Sequence, residues 1–190
     1  MFKRLLLTGP LVLALALAIP THADTIYTAT LLGSNEVPPV STNGTGFGTF
    51  TLSGNLLSIN ESFSGLTSPA NAAHIHCCGP AGVNEIVAVP FTPFPSATSG
   101  TFMATVDLTL AATYNAAFIT QEGGTVALAE AGLIAALNSG NTYANIHTTN
   151  FPGGEIRGQI VSLVPEPSSL LLLGTGLIAA TQAARRRIRA

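Results

Sequence analysis

The stretch that decides the fold runs from Tyr143 to Ile160 and reads YANIHTTNFPGGEIRGQI. A β-prone run ends at His147, a Pro-Gly-Gly turn occupies positions 152–154, and a second β-prone run begins at Glu155. β-Branched and aromatic residues on both sides of a glycine-containing turn are typical of a β-hairpin. We therefore predict a hairpin that closes the domain.

A second stretch, Asn71 to Pro80, reads NAAHIHCCGP. Together the two stretches contain His74, His76 and His147, which are all the histidines outside the N-terminal leader. Alternate residues of a strand leave the same face, so the first two imidazoles would point the same way, with the isoleucine between them turned into the core.

Two imidazoles on one face form half of a zinc or copper site, and a third from another strand would complete a three-histidine set. If the two strands converge, the sequence predicts a copper or zinc site at His74, His76 and His147. The candidates for a fourth ligand are Cys77, Cys78, Glu155 and water. The alternative is that the histidines hydrogen-bond to loop carbonyls at strand ends and bind no metal.

Cys77 and Cys78 are the two cysteines of the chain, and they are adjacent. In an oxidising compartment they could form a disulfide with each other, remain as thiols, or bind metal. As a mutual pair they cannot join distant parts of the chain.

Glu155 and Arg157 are two apart on a predicted strand and would share a face. We consider two roles for them. One is a structural ion pair that fixes strand register, which contributes about 0.5 kcal/mol if exposed. The other is that Arg157 guides an anion toward the histidines.

Both ends of the chain are typical of targeting segments. Residues 1–23 have a basic start, an apolar run and small residues before a cleavage point, which predicts a secretory signal peptide and a mature start at Asp24. At the other end, residues 168–184 are apolar enough to form a transmembrane helix, and the arginine-rich tail 185–190 should stay on the cytoplasmic side.

Between these ends lies one predicted domain, residues 24–163. It has eight acidic residues against one arginine, which gives a net charge of −7 with neutral histidines. Such a surface repels phosphates, so nucleic acid is not an expected partner. The sequence also lacks a nucleophile elbow, a phosphate-binding glycine loop and paired carboxylates, so hydrolase and kinase chemistry are not indicated and no catalytic residue is assigned.

The hydrophobic pattern of the domain is mainly β. Strands are predicted at 25–32, 46–52, 56–63, 72–76, 85–91, 100–108, 143–147 and 155–163. One helix is predicted at 125–137, and 109–124 is ambiguous. Short strands at regular spacing with one helix before the last hairpin favour an antiparallel Greek-key β-sandwich.

The ends resemble the bacterial PEP-CTERM sorting signal, with Pro165, Glu166 and Pro167 as its motif followed by the apolar run and basic tail. The resemblance implies cleavage by signal peptidase, transient anchoring in the inner membrane and processing by an exosortase. The protein would then reach the cell envelope, the outer surface or the extracellular matrix.

The domain itself is similar to the CHRD domain. The motifs that carry the resemblance are LGSNEVPP at 32–39, AHIH at 73–76, YANIH at 143–147 and PGGEIRG at 152–158. The family has no firmly assigned biochemical activity. The resemblance therefore implies an exported, non-catalytic binding or structural module with an envelope or matrix ligand.

A fainter likeness is to copper/zinc superoxide dismutase. An early hairpin leads through Gly65-Leu66 to a His-x-His strand, and a later histidine and a late arginine follow in the same order. The chain has no counterpart of the bridging histidine, so the likeness implies the Greek-key fold more than the enzyme. Its functional alternative is a copper- or zinc-binding protein or oxidoreductase that uses the three histidines.

Overall fold

The computed structural model describes residues 24–163. The strands are β1 (Thr25–Leu32), β2 (Thr45–Ser53), β3 (Leu56–Ser64), β4 (Ala70–Cys77), β5 (Ile86–Pro90), β6 (Gly100–Asp107), β7 (Thr142–Thr148) and β8 (Ile156–Ser162). The helices are α1 (Ala116–Gln121) and α2 (Val126–Ser139). The predicted signal peptide, the sorting motif and the helix at 168–184 lie outside these residues. Neither α1 nor α2 is long and apolar enough to cross a membrane.

All eight strands belong to one antiparallel sheet in the order β5-β4-β7-β8-β1-β2-β3-β6. The prediction of a mainly β, antiparallel domain is confirmed. Within residues 24–163 the strand pairing gives one continuous curled sheet and does not divide the strands into the two sheets of a sandwich.

The β2–β3 hairpin follows directly from the alternation of its residues. Along β3, Leu57, Ile59 and Phe63 are buried, and the serine and asparagine residues at positions 58, 60 and 62 are exposed. A turn at Gly54, with φ +58°, joins the strands, and a left-handed backbone of this kind favours glycine. The same alternation places Glu61 in the core with no exposed surface, which the sequence analysis did not anticipate.

The curl of the sheet brings its two edges together over the core. The ring of Phe91, just after β5, stacks on Phe102 of β6 with centroids 5.0 Å apart. Phe94 lies 5.3 Å from Phe63 in the same group. Aromatic side chains bury large apolar areas, so this group stabilises the contact between the edge strands.

The predicted helix is α2, which begins and ends at capping residues. The Thr125 hydroxyl accepts a hydrogen bond from the Leu128 amide, and Gly140 ends the helix in a left-handed conformation. Leu133 and Leu137 are fully buried on its inner face. The ambiguous segment before it contains α1, which begins after an Asn115 cap.

Candidate metal centre

Pairing of β4 with β7 places the two histidine stretches side by side. In the register of this pair, His74 lies opposite Asn145 and His76 opposite Tyr143. Ile75 is fully buried in the core, so the histidines on either side of it leave the opposite face of the sheet. The expected strand geometry is therefore present.

The three imidazoles meet on that face. His74 Nδ1 lies 3.3 Å from His147 Nε2. One ring nitrogen from each of His74, His76 and His147 lies within 4.8 Å of the other two, so the cluster could hold a metal ion. The convergence expected from the sequence is thus seen in the structure.

Two of these rings are oriented by backbone carbonyls. His76 Nδ1 lies 2.7 Å from the Glu85 carbonyl oxygen, and His147 Nδ1 lies 2.9 Å from the Pro152 carbonyl oxygen. A carbonyl oxygen can only accept, so both Nδ1 atoms carry the proton, and each neutral ring keeps its lone pair on Nε2. Metal-ligating histidines commonly make this kind of outer hydrogen bond.

The environment keeps the imidazoles neutral. Burial, followed by the neighbouring His147 and His76 imidazoles, lowers the pKa of His74 to about 4. Burial also lowers the pKa of His76 and of His147. At neutral pH the cluster thus presents unprotonated nitrogens, which are ligands for zinc and copper.

The candidates for a fourth protein ligand are engaged elsewhere. Cys77 and Cys78 form a disulfide with each other, so neither sulfur is a thiolate in this structure. The Glu155 carboxylate accepts hydrogen bonds from the Thr42, Thr67 and Thr148 hydroxyls at 2.6, 2.9 and 2.7 Å. A water or a partner group is left as the candidate for the fourth position.

Glu155 joins separate segments through these bonds. Burial raises its pKa, but the threonine hydrogen bonds outweigh that effect and hold the pKa below its ordinary value. The carboxylate thus ties the segments of Thr42 and Thr67 to the β7–β8 hairpin. Since these donors are neutral, its role here is to fix loops through charge-assisted hydrogen bonds.

Arg157 is buried, with 2% of its surface exposed. Its guanidinium donates to the Asn84 side-chain oxygen at 2.9 Å and to the Val83 carbonyl at 2.7 Å. The same group lies 3.3 Å from the ring centroid of Tyr143, a cation–π contact. Arg157 and Glu155 therefore have different partners, and the predicted anion-guiding role of Arg157 stays a prediction.

Three residues beside the cluster were not predicted from the sequence: Tyr143, Asn145 and Glu36. The first two alternate with His147 along β7, so the two-residue period of a strand could have placed them on the same face. Tyr143 stacks on His76, and Asn145 Oδ1 lies 3.0 Å from His76 Nε2. Glu36 comes from the loop after β1, within the motif at 32–39, where strand alternation gives no indication of the face it occupies.

Comparison with protein families gave two matches. The CHRD domain matches residues 27–160. The PEP-CTERM protein-sorting motif matches residues 163–188. No curated protein and no solved structure gave a match.

Proposed function

This chain belongs to the CHRD domain family, and on that premise we propose that its domain is a non-catalytic module that binds one copper or zinc ion through His74, His76 and His147. The PEP-CTERM motif identifies the protein as exported and sorted by a membrane-embedded exosortase. Metal binding would then take place outside the cytoplasm, in the envelope or the extracellular matrix, after signal peptidase has removed residues 1–23.

The observation that carries the proposal is the orientation of the His76 and His147 rings. Each donates its Nδ1 proton to a backbone carbonyl, which fixes the tautomer and directs the lone pair of Nε2. Histidines that only satisfy strand-end hydrogen bonds have no need to bring one ring nitrogen each within 4.8 Å of the other two. Gathering neutral imidazoles costs desolvation, and a bound metal would offset that cost.

Three nitrogen ligands suit a borderline metal and leave one position of a tetrahedral site open. That position could take water or a donor from another envelope component. A module of this kind would bind metal, or bind a partner through the metal, without turning over a substrate. We assign the open position no catalytic role.

The test is the metal content of the full chain after dialysis against copper or zinc, compared with His74→Ala, His76→Ala and His147→Ala. Asn60→Ala, on the exposed face of β3, is the control. We expect about one ion per chain in the parent and the control, and background levels in all three histidine variants. Metal at background levels in the parent, or full retention by folded His147→Ala, would overturn the proposal.

A further inference from the structure

The hydrogen bonds around Asn145 conflict at both ends of its amide. At one end, Asn145 Oδ1 lies 3.0 Å from His76 Nε2. His76 already donates its Nδ1 proton to the Glu85 carbonyl, so a neutral ring has only a lone pair to offer there. Two acceptors therefore face each other.

At the other end, the amide lies beside the carboxyl of Glu36. Glu36 is 5% exposed, and its Oε1 has no well-formed hydrogen bond to any residue among 24–163. Gly154 makes room for the pair, because a Cβ at that position would collide with Glu36 Oε1 and come within 2.8 Å of Asn145 Nδ2. A buried carboxylate oxygen without a partner is costly.

One rearrangement resolves both conflicts. If Glu36 is protonated and the amide turns by half a turn, Glu36 donates to the Asn145 oxygen, and the Asn145 nitrogen donates to His76 Nε2. No other atom has to move, since the oxygen and nitrogen of an amide have nearly the same shape. The alternative, a protonated His76, would place a charge on a ring that is 7% exposed and lies beside two other imidazoles and Arg157.

Glu36 is suited to hold this proton. Burial raises its pKa to about 7, while Arg157 and the Asn145 amide pull it down. Of the titratable groups on the neighbouring strands, Arg157 on β8 lowers the pKa of Glu36, and Glu36 in turn raises the pKa of Tyr143 on β7. Glu36 is thus balanced between its protonated and ionised forms near neutral pH.

We propose that Glu36 and Asn145 are positioning residues of the metal site and form a proton-linked relay in which metal binding at His76 releases the proton of Glu36. This inference rests on the proposed metal-binding function. When metal takes the lone pair of His76 Nε2, the Asn145 nitrogen loses its acceptor there, and the amide turns back. The amide oxygen then no longer accepts from Glu36, which releases its proton to solvent, and Asn145 donates to the resulting carboxylate.

The relay also compensates part of the positive charge that a bound metal ion brings to the site. A divalent ion brings two positive charges to a site that already lies near Arg157. The ionised Glu36 supplies one negative charge from behind Asn145. This charge offsets part of the charge of the ion, although Glu36 is not a metal ligand. The site therefore takes up metal more readily as pH rises through neutrality, and its proton release reports on Glu36.

The test is calorimetric titration of the full chain with zinc, in buffers of different ionisation enthalpy, at pH 6 and pH 8. The difference between buffers gives the number of protons released on binding. We expect the parent to release about one proton more at pH 6 than at pH 8, since binding displaces the proton of Glu36. Glu36→Gln should bind zinc without this difference, and Glu130→Gln, which removes a partly exposed carboxyl on α2, should behave as the parent does.

The possible results separate the two proposals. If zinc does not bind, or binds without the histidines, the metal function is wrong. If zinc binds through the histidines but Glu36→Gln releases the same protons as the parent, the relay is wrong.

If Glu36→Gln does not fold, the relay can still be tested by a measurement on the parent alone. The infrared band of a protonated carboxylic acid should lose intensity when zinc is added at pH 6, because Glu36 ionises. An unchanged band would overturn the relay.

Discussion

The phenol ring of Tyr143 lies parallel to the imidazole of His76, with ring centroids 4.6 Å apart and an angle of 3° between the planes. The guanidinium of Arg157 covers the phenol ring at 3.3 Å. Tyr143 is therefore stacked between the arginine and a candidate metal ligand. The stack holds the His76 ring in place while the Glu85 carbonyl fixes its tautomer.

Replacing Tyr143 by leucine should remove this support. We expect zinc affinity to fall about 10- to 100-fold, the range for outer groups that orient a metal ligand. Tyr143→Phe is the matched control, because it keeps the ring and loses only the hydroxyl that accepts from the Glu85 amide at 3.1 Å. It should cost about 0.5–1.5 kcal/mol of unfolding free energy and leave zinc affinity within a few-fold. Equal zinc affinity in the leucine variant and the parent would argue against the stack as a support.

The turn between β7 and β8 contains two glycines, and an added Cβ would collide with neighbouring atoms at only one of them. Gly154 has φ +125°, and a Cβ there would meet the carboxyl of Glu36 and the amide of Asn145. Gly153 has open space around its Cα. Gly154→Ala should therefore destabilise the fold by about 1–3 kcal/mol or more and weaken zinc binding, whereas Gly153→Ala should do neither. Chemical denaturation and zinc titration of the two variants would check this, and similar behaviour of both would contradict the geometry.

Glu61 should make the stability of the domain fall as pH rises. Burial raises its pKa to about 8, and neither carboxyl oxygen has a hydrogen-bond partner among the described residues. Between its unfolded pKa near 4.5 and its folded pKa near 8, the folded state holds a proton that the unfolded state has lost. This contribution to stability is complete below pH 4.5 and is lost progressively up to pH 8. Each unit of pKa difference corresponds to about 1.4 kcal/mol, so the total is a few kcal/mol.

Denaturation of the parent and of Glu61→Gln over this pH range measures the effect. The free energy of unfolding of the variant should depend less on pH, and its advantage over the parent should be largest at pH 8 and above. Glu130→Gln, a change to a partly exposed acid on α2, is the control and should keep the slope of the parent. Parallel curves for the parent and Glu61→Gln would show that this carboxyl does not stay protonated in the fold.

Local pattern was sufficient to predict most of the strands and the helix α2. β1 has the bounds expected from its alternation, and α2, at Val126–Ser139, overlaps the helix predicted at 125–137. The shared face of His74 and His76 follows from the two-residue period of a strand. These features depend on residues that are close together in the sequence, so they can be predicted from the sequence alone.

Features that depend on long-range pairing were harder to predict. The meeting of His147 with His74 requires β4 to pair with β7, across 73 positions of the chain, and the sequence analysis could state this only as a condition. Glu61 interrupts an apolar face, and the partners of Glu155 come from three separate segments. Glu36 reaches the site from a loop that alternation does not describe. Burial of these acids is a property of the whole fold and leaves no local signature.

Metal binding by the three histidines can be tested by X-ray absorption spectroscopy of the copper- or zinc-loaded full chain, because this method counts the imidazoles bound to the ion. We expect three imidazole nitrogens in the parent and two in His147→Ala where any metal remains. An ion surrounded by oxygen ligands, or an imidazole count that His147→Ala leaves unchanged, would contradict it.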